Sequence, residues 1–410
     1  MTTTTFHPVC GAALERAPAA ARTVLALLSR LKHGTLDLQL PGGASVRFGQ
    51  GAPGACARIT DWNVFSRVLK GGDIGFAEGY IAHEWDSPDL TALLTLLVTN
   101  RDEMERIVYG SWWGLLAWRA KHALHRNSRR GSAKNIHAHY DLGNAFYAQW
   151  LDPTMNYSSA WFEGDLGKPL AQAQAAKMRR ALTEAGVERG ARVLEIGCGW
   201  GALAELAARE FGARVTGVTL SSEQLAWGRR RLHDAGLAEH TELRWQDYRD
   251  LAARHEAEPF DAIVSIEMFE AVGREYWDGY FDTLRRCLKP GGRACIQSIT
   301  IRDDLFERYL RSTDFVQQYI FPGGLLPSVQ AFEAQARRAG FTIERRLGFG
   351  ADYAETLKRW RTRFVQQERD VGRLGFDGRF MRIWHFYLAY CEAAFLCGNT
   401  DVVQFTLRRD

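Results

Sequence analysis

The stretch that most constrains this chain is residues 191–211, ARVLEIGCGWGALAELAAREF. Arg192 to Ile196 is a short apolar run with β-branched residues, the pattern of a strand buried on both faces of a parallel sheet. Gly197, Gly199 and Gly201 follow at alternate positions. Leu203, Leu206 and several alanines then read as a helix able to pack close to a sheet. Strand, glycine turn and helix N-terminus together make a nucleotide-binding corner, because glycine permits positive φ and lets a ligand approach the backbone.

The string GCGWGA also fits the loose dinucleotide fingerprint, so the glycines alone do not choose the ligand. A dinucleotide site places an acid about 20 residues later, on the ribose hydroxyls. Here the second strand ends at Thr219 and runs into LSSEQ, and the acid is Glu195, before the turn. That arrangement suits S-adenosylmethionine, which lacks a pyrophosphate and carries an ammonium and a sulfonium for a carboxylate to attract. A methyltransferase is favoured over a dehydrogenase.

The remaining chain sets the frame. At 410 residues two domains are expected. A net charge of +4 is too small to argue for a nucleic-acid partner. Seven scattered cysteines without a C-x-x-C pair argue against a disulfide framework or zinc ribbon. The N-terminal residues lack the pattern of a signal peptide, and no apolar run is long enough to span a bilayer, so a cytoplasmic protein is expected.

Residues 1–110 read as a small α+β domain: a helix over 11–32, a hairpin of TLDLQL and SVRFG, a third strand in ACARITD, and helices at 61–70, 74–83 and 88–99. Residues 111–134 form a linker in which Trp112, Trp113 and Trp118 precede Arg119, Lys121, Arg126, Arg129, Arg130 and Lys134. Such a stretch suits an anionic lipid surface, at ~1 kcal/mol per basic residue. A core-facing aromatic helix with a solvated tail fits equally well. Residues 135–410 form the second domain. His137, His139 and Asp141 lack a second ligand cluster, so packing or capping is favoured over a metal.

Strands are expected at 214–218, 242–246, 260–266, 293–299, 342–348 and 402–407, mostly separated by helices. The implied fold is α/β, a doubly wound and mostly parallel sheet. Ligands bind such sheets at the carboxyl ends of the strands. That rule selects Glu195 to Gly201, Thr219 to Gln224, Gln246 with Asp247, Glu267 to Glu270, and Gln297 to Ile299. Asp247 is read as accepting from an adenine amino group, with a helix N-cap as the alternative.

The strings HYDLGN, YSSAWF, LEIGCGWG, TLSSEQ, MFEAVG, YIFPGGLLPS, FGADY and FYLAYCEAAF, in this order, resemble the cyclopropane-fatty-acyl-phospholipid synthase family over almost the whole chain. The resemblance implies one-carbon transfer from S-adenosylmethionine to the cis double bond of an unsaturated acyl chain in a membrane phospholipid. It also implies a sterol-carrier-like lipid-binding N-terminal domain and work at the inner face of the membrane. Cofactor contacts carried over are Tyr157, Ser158, Glu195, Gly197, Gly199, Trp200, Gly201, Thr219, Leu220, Gln224, Gln246 and Asp247.

Attack by an alkene leaves a carbocation, which aromatic faces stabilise; Trp161, Phe162, Phe269, Tyr319, Phe321 and Tyr353 are candidates. The family then removes a proton with a bound bicarbonate held by a Cys, a Glu, a His and a Tyr. Glu270 and Tyr353 match that set, while Ser159 and Gln297 replace its Cys and His. Cys391 matches a further family cysteine. Ring closure to a cyclopropane is the expected outcome, with a methyl or methylene branch as the alternative and a non-catalytic lipid-binding protein as the rival of another class. Oligomeric state stays open, a homodimer included.

Overall fold

The computed structural model describes residues 17–101 and 142–410. They fall into two compact units. The smaller holds a four-stranded sheet of β1 (Gly34–Gln39), β2 (Ser45–Gln50), β3 (Gly54–Ile59) and β4 (Trp85–Asp86), in the order β2-β1-β3-β4. The expected hairpin forms as β1 and β2, with Leu36, Leu38, Val46 and Phe48 turned into the core. The third strand is present but runs parallel to β1. The two helices expected at 61–70 and 74–83 join as one element, Asn63–Ile81, bent at Gly72 where φ is 57°.

This smaller unit is not a sequential block. Ser312–Ile320 and Gly375–Cys397 belong to it, although the sequence places both in the second domain. The helix Gly378–Leu396 explains why: Arg382 binds Asp86 and the backbone carbonyls of Tyr80 and Trp85, and the ring of Phe386 lies 5.7 Å from that of Tyr80. Residues 111–134 lie outside the described residues, as do His137, His139 and Asp141.

The larger unit holds seven strands: β5 (Arg192–Ile196), β6 (Arg214–Thr219), β7 (Thr241–Trp245), β8 (Phe260–Ile266), β9 (Leu288–Ile301), β10 (Phe341–Gly348) and β11 (Thr400–Arg409). Their order is β10-β11-β9-β8-β5-β6-β7. Pairings from β9 through β7 are parallel, and only those of β11 with its two neighbours are antiparallel. All six strands expected beyond β5 are present.

Successive strand residues point to opposite faces, and both faces are apolar. Val193, Val215, Ala262 and Val264 pack under the helices Leu170–Glu184 and Ala202–Phe211. Leu194, Val218, Ile263 and Ile296 pack against Phe281, Leu284 and Phe332 on the other side. Helices on both faces leave the strand ends as the accessible edge.

The glycine turn is tight for two separate reasons. Gly201 has φ +82°, and a Cβ there would sit 3.2 Å from the Cα of Gly228 and 3.5 Å from Leu243. Gly199 has φ +48°, and a Cβ would meet nothing within 4 Å. Gly201 therefore serves helix packing, while Gly199 faces open space. Replacing Gly201 with Ala should cost about 1–3 kcal/mol from left-handed strain and crowding together. Chemical denaturation of the variant against the parent checks this.

Candidate active site

The site is built from the carboxyl ends of β5, β6, β7 and β8, joined by β9 and the segment Asn156–Phe162. At the end of β5, Glu195 is buried, and its Oε2 has no hydrogen-bond partner. Burial pushes its carboxyl well above the usual range, against the pull of Lys177 and the Ala204 amide. Gly197 and Cys198 donate their backbone N–H groups to Val218 at 3.0 Å, which fixes the turn. A Cβ on Gly197, φ +86°, would touch Met268.

Lys177 is the unexpected cation. It is fully buried, donates to the Ser158 hydroxyl at 2.6 Å, and is pushed down to about 8 by burial against the attraction of Glu267, Asp152 and Glu195. Burial raises both Glu195 and Glu267, Lys177 is shared between them, and Arg231 also faces Asp152, which leaves the Glu195 and Glu267 carboxylate pair short of counter-charge. A sulfonium or ammonium is the ligand charge that would balance it.

The cofactor residues expected from the sequence take definite positions. Tyr157 stands in an aromatic group, its ring 5.5 Å from Tyr147, 5.3 Å from Trp150, 5.6 Å from Trp360 and 6.3 Å from Phe321. The Trp200 indole turns to Asn144 Oδ1 at 2.6 Å. The Thr219 hydroxyl donates to Gln224 Oε1, and Leu220 offers its carbonyl to the Trp245 indole. Gln246 donates its backbone N–H to Thr219 O. Asp247 caps the short helical turn Tyr248–Asp250 and pairs with Arg249. Its observed partners are thus those of the capping alternative.

The residues expected to hold bicarbonate do something else. Glu267, the first residue beyond β8, has φ +49°, a conformation uncommon for any residue but glycine. Its Oε1 accepts from the Ser159 backbone N–H and from Gln297 Nε2, both at 2.8 Å, and its Oε2 accepts from the Tyr353 hydroxyl at 2.7 Å. Gln297 is itself held by Gln404 at 2.9 Å. Ser159, Gln297 and Tyr353 therefore come together, but around a carboxylate of the chain. The Ser159 hydroxyl turns away to the Ala160 carbonyl. Bicarbonate does not fit this arrangement: its expected donors are engaged, and two acids already stand beside the space.

Glu270, the other acid expected there, accepts from Ser298 Oγ at 3.1 Å and from the Ile299 backbone N–H, and its Oε2 has no partner. Burial, and next the charge of Glu267, push its carboxyl up to about 8. Cys391 belongs to the smaller unit. Its thiol is half-buried, and burial together with Asp314 pushes its pKa up, which disfavours the thiolate form a nucleophile needs.

Among the aromatic candidates, Phe162 and Phe269 are fully buried core residues, and Arg359 lies over the Phe162 ring. Arg180 lies over Trp161, and Tyr319 sits in the smaller unit with Glu78. Tyr353 and Phe321 remain with Tyr157 and Trp360. Among the described residues no group of His, Cys, Asp and Glu could hold a metal.

Sequence reasoning included Glu267 in a run of strand-end residues but gave it no role. The signal available was its place immediately after a buried parallel strand.

A pH prediction follows from Glu270. A carboxyl raised from 4.5 to about 8 binds an extra proton in the folded state across that window. Its contribution is full below the unfolded value and is lost as pH rises through about 8, at up to ~1.4 kcal/mol per pH unit. Thermal unfolding from pH 5 to 8 should therefore fall less steeply in Glu270→Gln than in the parent.

Known proteins place this geometry. A family model described as mycolic acid cyclopropane synthetase matches residues 127–405. The tuberculostearic acid methyltransferase UfaA1 of Mycobacterium tuberculosis is 41% identical over 352 residues, covering 84% of this chain and 81% of the relative. The cyclopropane-fatty-acyl-phospholipid synthase of Escherichia coli K12 is 32% identical over 372 residues, covering 90% and 92%. Among solved structures, the cyclopropane synthase MmaA2 from Mycobacterium tuberculosis superposes with a TM-score of 0.62 at 31% identity, over 68% of this chain and 98% of its own. Mycolic acid cyclopropane synthase CmaA1, complexed with SAH and CTAB, gives 0.63 at 31%, with the same coverage. The class I fold, the glycine turn with its preceding acid and these matches agree: the chain belongs to the mycolic acid cyclopropane synthetase family of S-adenosylmethionine-dependent methyltransferases.

Proposed function

We propose that this enzyme adds a one-carbon unit to the cis double bond of an unsaturated fatty acyl chain carried by a membrane phospholipid. One observation carries the reading: two carboxylates, Glu195 buried and Glu267 half-buried, stand at the ends of the neighbouring strands β5 and β8 and share Lys177. S-adenosylmethionine supplies an electrophilic methyl group when bound. The unpartnered Oε2 of Glu195 suits its cationic amino acid end, and Gly199 leaves room along the turn. Tyr157, Phe321, Tyr353 and Trp360 offer π faces to a cationic centre, each worth ~2 kcal/mol or more when desolvated.

We place a methylene branch first as the product, ahead of the cyclopropane expected from the sequence. Two of the four residues that the resemblance puts around a ring-closing bicarbonate are replaced, and the 41% identical relative is a methyltransferase of tuberculostearic acid by name. The cyclopropane remains the second reading, supported by the Escherichia coli relative and the family description. The phospholipid carrier rests on the same relative's name and on the Trp-rich basic residues 112–134 of the sequence. No helix among the described residues is long and apolar enough to cross a membrane, so a peripheral encounter with the lipid surface is the mode proposed.

Two measurements test this. Labelled S-adenosylmethionine incubated with vesicles of cis-monounsaturated phospholipid should leave label in the acyl chains of the phospholipid fraction. Upfield ring protons in their NMR spectrum would identify cyclopropane, and olefinic methylene signals a branch. No label in any unsaturated lipid would contradict the proposal. Secondly, binding should release a proton, because a cation favours the ionised form of a carboxylate whose pKa burial has raised. Affinity should then rise with pH, and Glu195→Gln should lose about tenfold or more and abolish that dependence. Calorimetry in buffers of different ionisation heat reads both.

A further inference from the structure

We infer that Glu267 is the proton acceptor of the reaction, a carboxylate of the chain standing in for the bound bicarbonate that the family resemblance leads one to expect. The inference rests on the alkene chemistry proposed above. A carboxylate and a bicarbonate present the same planar O–C–O edge to hydrogen-bond donors. The donors expected for the small anion, at Ser159, Gln297 and Tyr353, all reach Glu267 at 2.7–2.8 Å. Glu267 takes up this position from a left-handed backbone, φ +49°, which costs on the order of 1 kcal/mol or more and persists only where surrounding contacts impose it.

The electrostatics point the same way. Glu267 and Glu270 already stand together in this half-buried region, and Lys177 is the counter-charge of Glu267. A free anion added here would face two acids. Burial lifts the Glu267 carboxyl above the usual range, and Lys177, Tyr353, Ser159 and Gln297 draw it back, a balance that suits a base.

The step balances without another reactant. The alkene π pair forms a bond to the methyl carbon, and the carbon–sulfur bond breaks onto sulfur, leaving a neutral thioether and a cation in the acyl chain. A neighbouring C–H bond then gives its electron pair to the chain. That pair closes a ring or, after a hydride shift, makes a methylene branch on the chain. The proton passes to the carboxylate of Glu267.

The test compares the parent, Glu267→Gln and Glu267→Gly in carbon-dioxide-depleted buffer and with added bicarbonate, formate or acetate. The parent should turn over equally with and without bicarbonate. Glu267→Gln should lose about 100-fold or more, the usual worth of a positioned base, with little change in S-adenosylhomocysteine affinity by calorimetry. Glu267→Gly removes the carboxylate and accepts the left-handed backbone, so small carboxylates or bicarbonate should restore its turnover roughly tenfold or more in a concentration-dependent way. Bicarbonate-dependent turnover in the parent would overturn the inference. Full activity in either variant, or a Glu267→Gly variant that binds cofactor yet is not rescued, would do so as well. A parent that labels no unsaturated lipid is a different result, which removes the proposed function and this inference with it.

Discussion

The larger unit depends on one half-buried interaction, the carboxylate of Glu267 held by the Ser159 amide, the Gln297 side chain and the Tyr353 hydroxyl. Each donor comes from a different part of the chain, 108, 30 and 86 residues away. A charge taken out of water is tolerated only when donors and a counter-charge replace its hydration. The carboxylate therefore ties together the segment before the glycine turn, the strand β9 and the helix Gly350–Gln366. Its left-handed backbone indicates that these contacts, rather than local preference, set its position.

Lys177 extends the arrangement to the cofactor side. Its ammonium reaches the Ser158 hydroxyl and interacts with Glu267, Asp152 and Glu195. The glycine turn and the proton-accepting carboxylate are thereby joined by one buried cation. A cationic methyl donor and a cationic intermediate both complement a region built with more acid than base, and the aromatic group around Tyr157 offers the second a surface without ionic competition.

Much of this fold was legible because it rests on local patterns. Apolar runs mark β5 to β11, alternation marks the first hairpin, and three glycines after Glu195 mark the turn. Long-range choices were not legible. The apolar helix Gly378–Leu396 could serve either core, and nothing in its sequence says that Arg382 will find Asp86 in the smaller unit. Asp247 was placed correctly at a strand end, but its sequence could not show that Arg249, two residues on, would engage it. Glu267 was one acid among several strand-end residues. Its special place comes from φ and from three distant donors, and neither is written in neighbouring residues. The replacements at Ser159 and Gln297 were visible, yet without Glu267 they read as losses rather than as parts of a different anion site.

The most direct measurement of this arrangement is a crystal structure with S-adenosylhomocysteine bound, grown in the presence of bicarbonate. Expected is the Glu267 carboxylate in place, accepting from Ser159, Gln297 and Tyr353, with no separate anion on those three donors. A Glu267 side chain swung away, with bicarbonate seated on the same donors, would contradict it.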